Sequence, residues 1–152
     1  MKNMVLITLF PLLSYFATQA QEIKWMSWEQ AMEANQKAPK KIFVDVYTDW
    51  CGWCKVMDRN TFSDSGVTAY INKNFYPVKL NAEQKKDIIW NNTTFRYRPE
   101  YKSHDLAISL LDGQMSYPSY VILDEKIARL KIIKGYMEKL PFLETLQNII
   151  GK

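Results

Sequence analysis

The chain has 152 residues, 47% of them hydrophobic and 14% aromatic, with a formal charge of +4. That is enough apolar material for one domain with its own core. The basic residues are scattered and interleaved with acids, the pattern of a solvated surface and not of a nucleic-acid interface. Two cysteines and one histidine exclude a disulfide-stapled scaffold and leave too few ligands for a zinc site.

Residues 1–20 read as a secretory signal peptide. Lys2 gives the positive start, Met4 to Phe10 and Leu12 to Phe16 the apolar stretch, and Thr18-Gln19-Ala20 the small residues before Gln21. Pro11 interrupts the apolar run, and a retained membrane anchor is the competing reading. Residues 21–152 are then expected to be a single exported domain, with no internal repeat, linker or low-complexity tract.

Ile23 to Met26 suits a short first strand. Ser27 with Gln30 three residues on forms a capping box, and Trp28, Ala31 and Met32 fall on one helical face that ends before Pro39. Ile42 to Tyr47 is nearly all apolar, as expected of a central strand covered on both sides. A helix follows from Cys51 to about Asn60. Ser63-Asp64 opens a second, with Val67, Tyr70 and Ile71 as its apolar stripe.

Phe75 to Leu80 reads as the next strand. Ile88–Trp90 and Thr94–Arg98, joined by Asn91-Asn92-Thr93, read as an inserted hairpin. Ser103 is placed to cap a helix through Leu111 that Gly113 ends, with Leu106 and Leu110 facing the core. Tyr120 to Leu123 and Ala128 to Ile133 then form antiparallel strands about Asp124-Glu125-Lys126. Pro141 lies in the first turn of a terminal helix carrying Leu143, Leu146 and Ile150. The order gives an α/β fold with a mixed central sheet flanked by helices on both faces.

Chemistry concentrates at Trp50-Cys51-Gly52-Trp53-Cys54-Lys55, directly after the central strand. The loop that a Cys51–Cys54 bridge closes is too short to staple a fold, so the pair suits exchange chemistry. At a helix N-terminus, unpaired backbone N–H groups favour an anion. Such sites lower a cysteine pKa from about 8.5 to about 3.5–7.5. Cys51 is therefore expected to attack, its sulfur near the surface, and Cys54, one turn deeper, to resolve the mixed disulfide. An inert buried pair is the alternative. His104 reads as an ordinary helix-start residue.

Val44-Asp45-Val46-Tyr47, the cysteine hexapeptide, Val78-Lys79-Leu80-Asn81, Tyr117-Pro118-Ser119 and Gly135-Tyr136 occur in the order of the thioredoxin family's landmarks. The stretches Tyr47 to Cys51 and Thr61 to Asp64 resemble exported bacterial thioredoxin-like proteins and the C-terminal domain of the membrane thiol–disulfide interchange reductase. The resemblance implies a thioredoxin fold with an insertion, Ala82 to Ser116, before the cis-proline strand.

It also implies roles. Asp45 corresponds to the buried carboxylate that accepts a proton from the resolving cysteine, and Lys79 to that carboxylate's partner. Pro118 corresponds to the cis-proline beside the dithiol, where the Tyr117 backbone can pair with an extended substrate. Trp50 and Trp53 would form an apolar rim. The bland alternatives are a solvent-facing Asp45, a trans Pro118 and tryptophans that only pack. Gly52-Trp53 departs from the residues usual between the family's cysteines, so no relative's redox potential can be borrowed.

The resulting expectation is a thiol–disulfide oxidoreductase, mainly a reductase of protein disulfides in the bacterial cell envelope or periplasm. It would be a monomer with no cofactor, no metal and no nucleic acid, taking electrons from a membrane thiol donor. A disulfide isomerase or oxidase, or a redox-independent peptide-binding module using the cis-proline groove, is the alternative.

Overall fold

The computed structural model describes residues 22–151; the expected signal peptide lies outside them. Among the described residues no helix is long and apolar enough to cross a membrane. The first helix, α1 (Trp28–Lys37), begins as its sequence dictates. The Ser27 hydroxyl accepts from the Gln30 N–H at 3.2 Å, while the Gln30 side chain accepts from the Ser27 N–H at 2.8 Å. Trp28, Ala31 and Met32 are buried together.

The sheet centre is β1 (Lys41–Tyr47), followed by α2 (Gly52–Asn60), α3 (Ser65–Asn74) and β2 (Phe75–Asn81). Asp64 caps α3, its carboxylate accepting from the N–H groups of Gly66 and Val67. Between β2 and the cis-proline the chain forms β3 (Ile88–Trp90), β4 (Thr93–Phe95), β5 (Tyr97–Arg98), β6 (Ser103–His104) and α4 (Asp105–Leu110). The chain closes with β7 (Ser119–Leu123), β8 (Arg129–Lys134) and α5 (Lys139–Ile150). The main sheet has the order β2-β1-β7-β8, with β1 and β2 parallel and the other two pairs antiparallel.

Alternation along β1 divides the core between the two faces of the sheet. Ile42, Val44 and Val46 pack with Trp28 and Met32 of α1 and Leu106 and Leu110 of α4. Phe43 packs on the other face with Met57 of α2, Val67 and Ile71 of α3, and Phe142 and Leu146 of α5. Helices therefore cover both faces, as the sequence implies. In α5 the fully buried residues are Phe142 and Leu146, with Leu143 and Ile150 only partly covered.

Three local expectations are corrected. Residues 23–26 form no strand; Met26 alone makes a parallel bridge to Val78. Its N–H donates to the Pro77 carbonyl at 2.8 Å and its carbonyl accepts from the Lys79 N–H at 3.2 Å. Extending the pairing would require an N–H at Pro77, which proline lacks.

The hairpin turn is Asn91-Asn92, both with positive φ (49° and 57°), so Thr93 already belongs to β4 and that strand stops at Phe95. Two consecutive left-handed residues make the tight turn whose twist matches a hairpin, and asparagine tolerates that region. Tyr97-Arg98 pairs instead with Ser103-His104 in a second small hairpin.

Finally, His104 and not Ser103 caps α4. Its buried ring accepts from the Leu106 N–H at Nδ1 (3.3 Å) and donates from Nε2 to the Lys86 carbonyl (3.1 Å). Burial pushes its pKa down, in keeping with a neutral ring holding both bonds.

Phe43 touches five aromatic partners, stacking on Tyr120 at 5.8 Å and meeting Trp25, Phe62, Phe75 and Phe142 at about 6 Å. Truncating Phe43 to alanine should lower unfolding free energy by about 3–5 kcal/mol, measured by denaturant titration with the disulfide intact. A loss below about 1 kcal/mol would show that this cluster is not the centre of the core.

Candidate active site

Burial drives β1 through the middle of the sheet, and its C-terminal end delivers Thr48 to Cys51 to the mouth of α2. The Cys51 N–H donates to the Thr48 carbonyl at 3.2 Å, turning the chain into the helix. Cys51 has extended backbone and is the N-cap of α2, its Sγ accepting from the Cys54 N–H at 3.1 Å. Sulfur thus occupies the place where an N-cap oxygen ordinarily sits, facing amide donors with no partner inside the helix. Cys51 and Cys54 are joined as a disulfide with Cα atoms 5.3 Å apart.

The expected surface sulfur is corrected: Cys51 is only 4% exposed, the same as Cys54. The flanking aromatic residues carry the exposure instead, Trp50 at 66% and Trp53 at 61%. Trp50 meets Tyr117 edge-on at 5.9 Å, and its indole N–H donates to Glu83 at 3.0 Å. Trp53 lies 5.5 Å from Tyr136.

The Tyr117–Pro118 peptide bond is cis, and Pro118 is buried. Its carbonyl accepts from the Gly135 N–H at 2.8 Å, and φ of +82° at Gly135 is a conformation glycine adopts without strain. Trp53, Tyr117, Pro118, Gly135 and Tyr136 line one open pocket of about 260 Å³. Three of the four residues expected to contact substrate, Trp53, Tyr117 and Pro118, therefore share a pocket, with Trp50 against its Tyr117 wall.

Asp45 is buried on the Phe43 face of the sheet, 2% exposed. One oxygen, Oδ2, lies 2.6 Å from the Lys79 ammonium. The β1–β2 register places the two residues directly opposite each other. Lys79 also binds Asp58 of α2 at 2.5 Å and lies over the rings of Trp25, Tyr47 and Phe62 at 4.8–5.6 Å.

Burial pushes the Asp45 pKa up to about 6, with Lys79 pulling the other way and Asp58 adding repulsion. Lys79 moves upward despite its own burial, because two carboxylates face it. A buried acid with a pKa near neutrality can take or give a proton under working conditions.

Asp58 and Glu83 have no counterpart among the residues expected from the sequence, and Tyr136, part of the Gly135-Tyr136 landmark, is given no role there. Asp58 stands four residues after Cys54, on the same face of α2, and that spacing was the available signal. Glu83 reaches the site through tertiary packing and carries no local signal.

The β2-β1-β7-β8 sheet, the N-capping dithiol and the cis-proline opposite define a thioredoxin-fold domain with a dithiol–disulfide site. The chain belongs to the Thioredox_DsbH family, described as "Protein of unknown function, DUF255", which matches residues 11–101. An uncharacterized protein of Caenorhabditis elegans is 36% identical over 69 residues, which cover 43% of this chain and 9% of that protein. The thiol:disulfide interchange protein DsbD of Vibrio vulnificus strain CMCP6 is 25% identical over 141 residues, 87% of this chain and 21% of that protein. Among solved structures, DsbH oxidoreductase superposes with a TM-score of 0.65 at 15% identity, over 93% of this chain and 94% of that one. The chain thus spans only a minor part of the length of these curated relatives.

The raised Asp45 pKa fixes the sign of a pH dependence. A carboxyl whose folded pKa exceeds its unfolded value stabilises the fold below the unfolded pKa, and that contribution is lost as pH rises through the folded one. Relative to Asp45→Asn, the oxidised wild-type protein should lose on the order of 2–3 kcal/mol between about pH 4 and pH 7. Denaturant titrations of both proteins across that range check it; a difference that does not vary with pH contradicts the assignment.

Proposed function

We propose that this protein is a thiol–disulfide oxidoreductase acting mainly as a reductase of protein disulfides in the cell envelope. The observation that carries the reading is the Cys51 sulfur at the N-cap of α2, bonded to Cys54, directly after the strand in which Asp45 pairs with Lys79 of β2.

In the reduced protein the Cys51 thiolate attacks one sulfur of a client disulfide. An S–S bond forms between Cys51 and the client, the client's own S–S bond breaks, and the leaving thiolate takes a proton from solvent. Cys54 then gives its proton to Asp45, and its thiolate attacks the Cys51 sulfur. The client's second thiolate departs, leaving Cys51–Cys54 oxidised and the client reduced by two electrons. The helix terminus lowers the energy of the Cys51 thiolate both as nucleophile and as leaving group.

Lys79 keeps Asp45 from rising further out of range. The backbone of Tyr117, next to a proline that cannot close that edge, offers pairing to an extended client segment. Trp50, Trp53, Tyr117 and Pro118, joined by Tyr136, supply the apolar floor for its side chains. Electrons return from a membrane-embedded thiol donor, and export by the N-terminal leader places the chain where such clients and donors meet. The match to a thiol:disulfide interchange protein supports exchange chemistry, and the likeness to DsbH oxidoreductase supports the fold that carries it.

Two measurements test it. Cys54→Ser, which lacks the resolving thiol, should accumulate client proteins covalently bound to Cys51 and released by dithiothreitol. Cys51→Ser should trap none; if it supports every cellular role of the parent, the site is a peptide-binding groove and not an exchange centre. Equilibration with glutathione should give a potential near thioredoxin's roughly −270 mV. A value near the roughly −120 mV of a disulfide-forming oxidant would reverse the direction.

A further inference from the structure

The proton acceptor has an unexplained neighbour. The antiparallel register of β1 and β7 sets Asp45 directly opposite Tyr120, and alternation puts both side chains on the Phe43 face of the sheet. Tyr120 is completely buried and its ring is fixed by Phe43, Phe62 and Phe142, with centroids 5.2–5.8 Å away. Phenylalanine would fill that volume equally well, yet the chain carries a phenol whose hydroxyl has no hydrogen-bond partner.

Asp45 shows the complementary pattern. Its Oδ2 is taken by Lys79, whereas Oδ1 is equally buried and equally unpartnered. Two buried polar atoms on directly paired strands, one with a proton to give and one able only to accept when ionised, are the two polar ends that a bridging water joins. Burial and the charges of Asp45 and Asp58 push the phenol pKa upward, so the hydroxyl keeps its proton and serves as a donor.

We propose that Tyr120 is a positioning residue for Asp45: its hydroxyl donates through one buried water to Oδ1 and sets how readily that oxygen accepts a proton. Lys79 from β2, Asp58 from α2 and Tyr47 on β1 itself are the other ionisable groups acting on Asp45 or its lysine. Of these, Lys79 binds the other oxygen, which leaves Oδ1 as the end that takes the proton. Removing the phenolic donor therefore withdraws support from the ionised carboxylate and makes Asp45 a stronger base.

The inference rests on Asp45 as the acceptor in the exchange reaction, but its test does not use turnover. In oxidised protein, where Cys54 carries no proton, carboxyl-carbon NMR should show the Asp45 midpoint rising by about one pH unit in Tyr120→Phe. A second measurement leaves position 120 intact. The Tyr120 Cζ resonance should shift with the Asp45 midpoint in wild-type protein and lose that shift in Asp45→Asn. An unmoved Asp45 midpoint in Tyr120→Phe, or a Cζ resonance silent across the Asp45 titration, overturns the proposal while leaving client trapping by Cys54→Ser unaffected. A failure of trapping, conversely, would end the exchange reading and leave the coupling of phenol and carboxylate measured in its own right.

Discussion

The hydrogen bond from the Cys54 amide to the Cys51 sulfur, 3.1 Å long, is the constraint around which this site is organised. It exists because a strand buried on both faces ends where a helix begins, so the residue at the junction must cap that helix. A serine there would satisfy the same amide and do no chemistry. A cysteine satisfies it with an atom that becomes more stable as an anion in that position, because the first turn of a helix presents partial positive charge. In the proposed reaction, cap and nucleophile are one residue. The local backbone geometry and the chemistry therefore cannot be varied independently.

Two opposing electrostatic effects meet at Asp45. Removal from water disfavours the carboxylate, while Lys79 at 2.6 Å favours it, and burial wins to leave a pKa of about 6. Lys79 does not belong to Asp45 alone. It is shared with Asp58 and enclosed by three aromatic rings, so its charge is divided between two carboxylates. Such an arrangement keeps an acid near neutrality while retaining a paired charge in the interior. The stability cost of holding Asp45 in this way falls on the fold.

Much of this was legible in the sequence, for identifiable reasons. The apolar run Ile42–Tyr47 marked the central strand because burial on both faces leaves little room for polar residues. Ser27 and Gln30 marked a helix start because the reciprocal cap depends only on residues three apart. Asp45 stood out as the single acid in that apolar strand, and its burial opposite Lys79 agrees with the expected pairing. The failures lie where tertiary contacts decide. Pro77 removes a donor from β2 and so denies residues 23–26 a full strand. His104 outcompetes Ser103 as the cap because its ring also bonds the Lys86 carbonyl, eighteen residues earlier. The expected surface sulfur failed because Cys51 is enclosed at the turn into α2, bonded to Cys54 and capping the helix. The tryptophans beside it hold the exposed positions instead.

The central claim concerns the reduced protein, in which Cys51 is an anion under working conditions. Its most direct test is the pH dependence of Cys51 alkylation by iodoacetamide, followed together with thiolate absorbance near 240 nm. The account predicts that Cys51 titrates well below the ordinary thiol value of about 8.5, with Cys54 still protonated at that pH. A Cys51 that titrates at or above the ordinary value, or a Cys54 that ionises first, would contradict it.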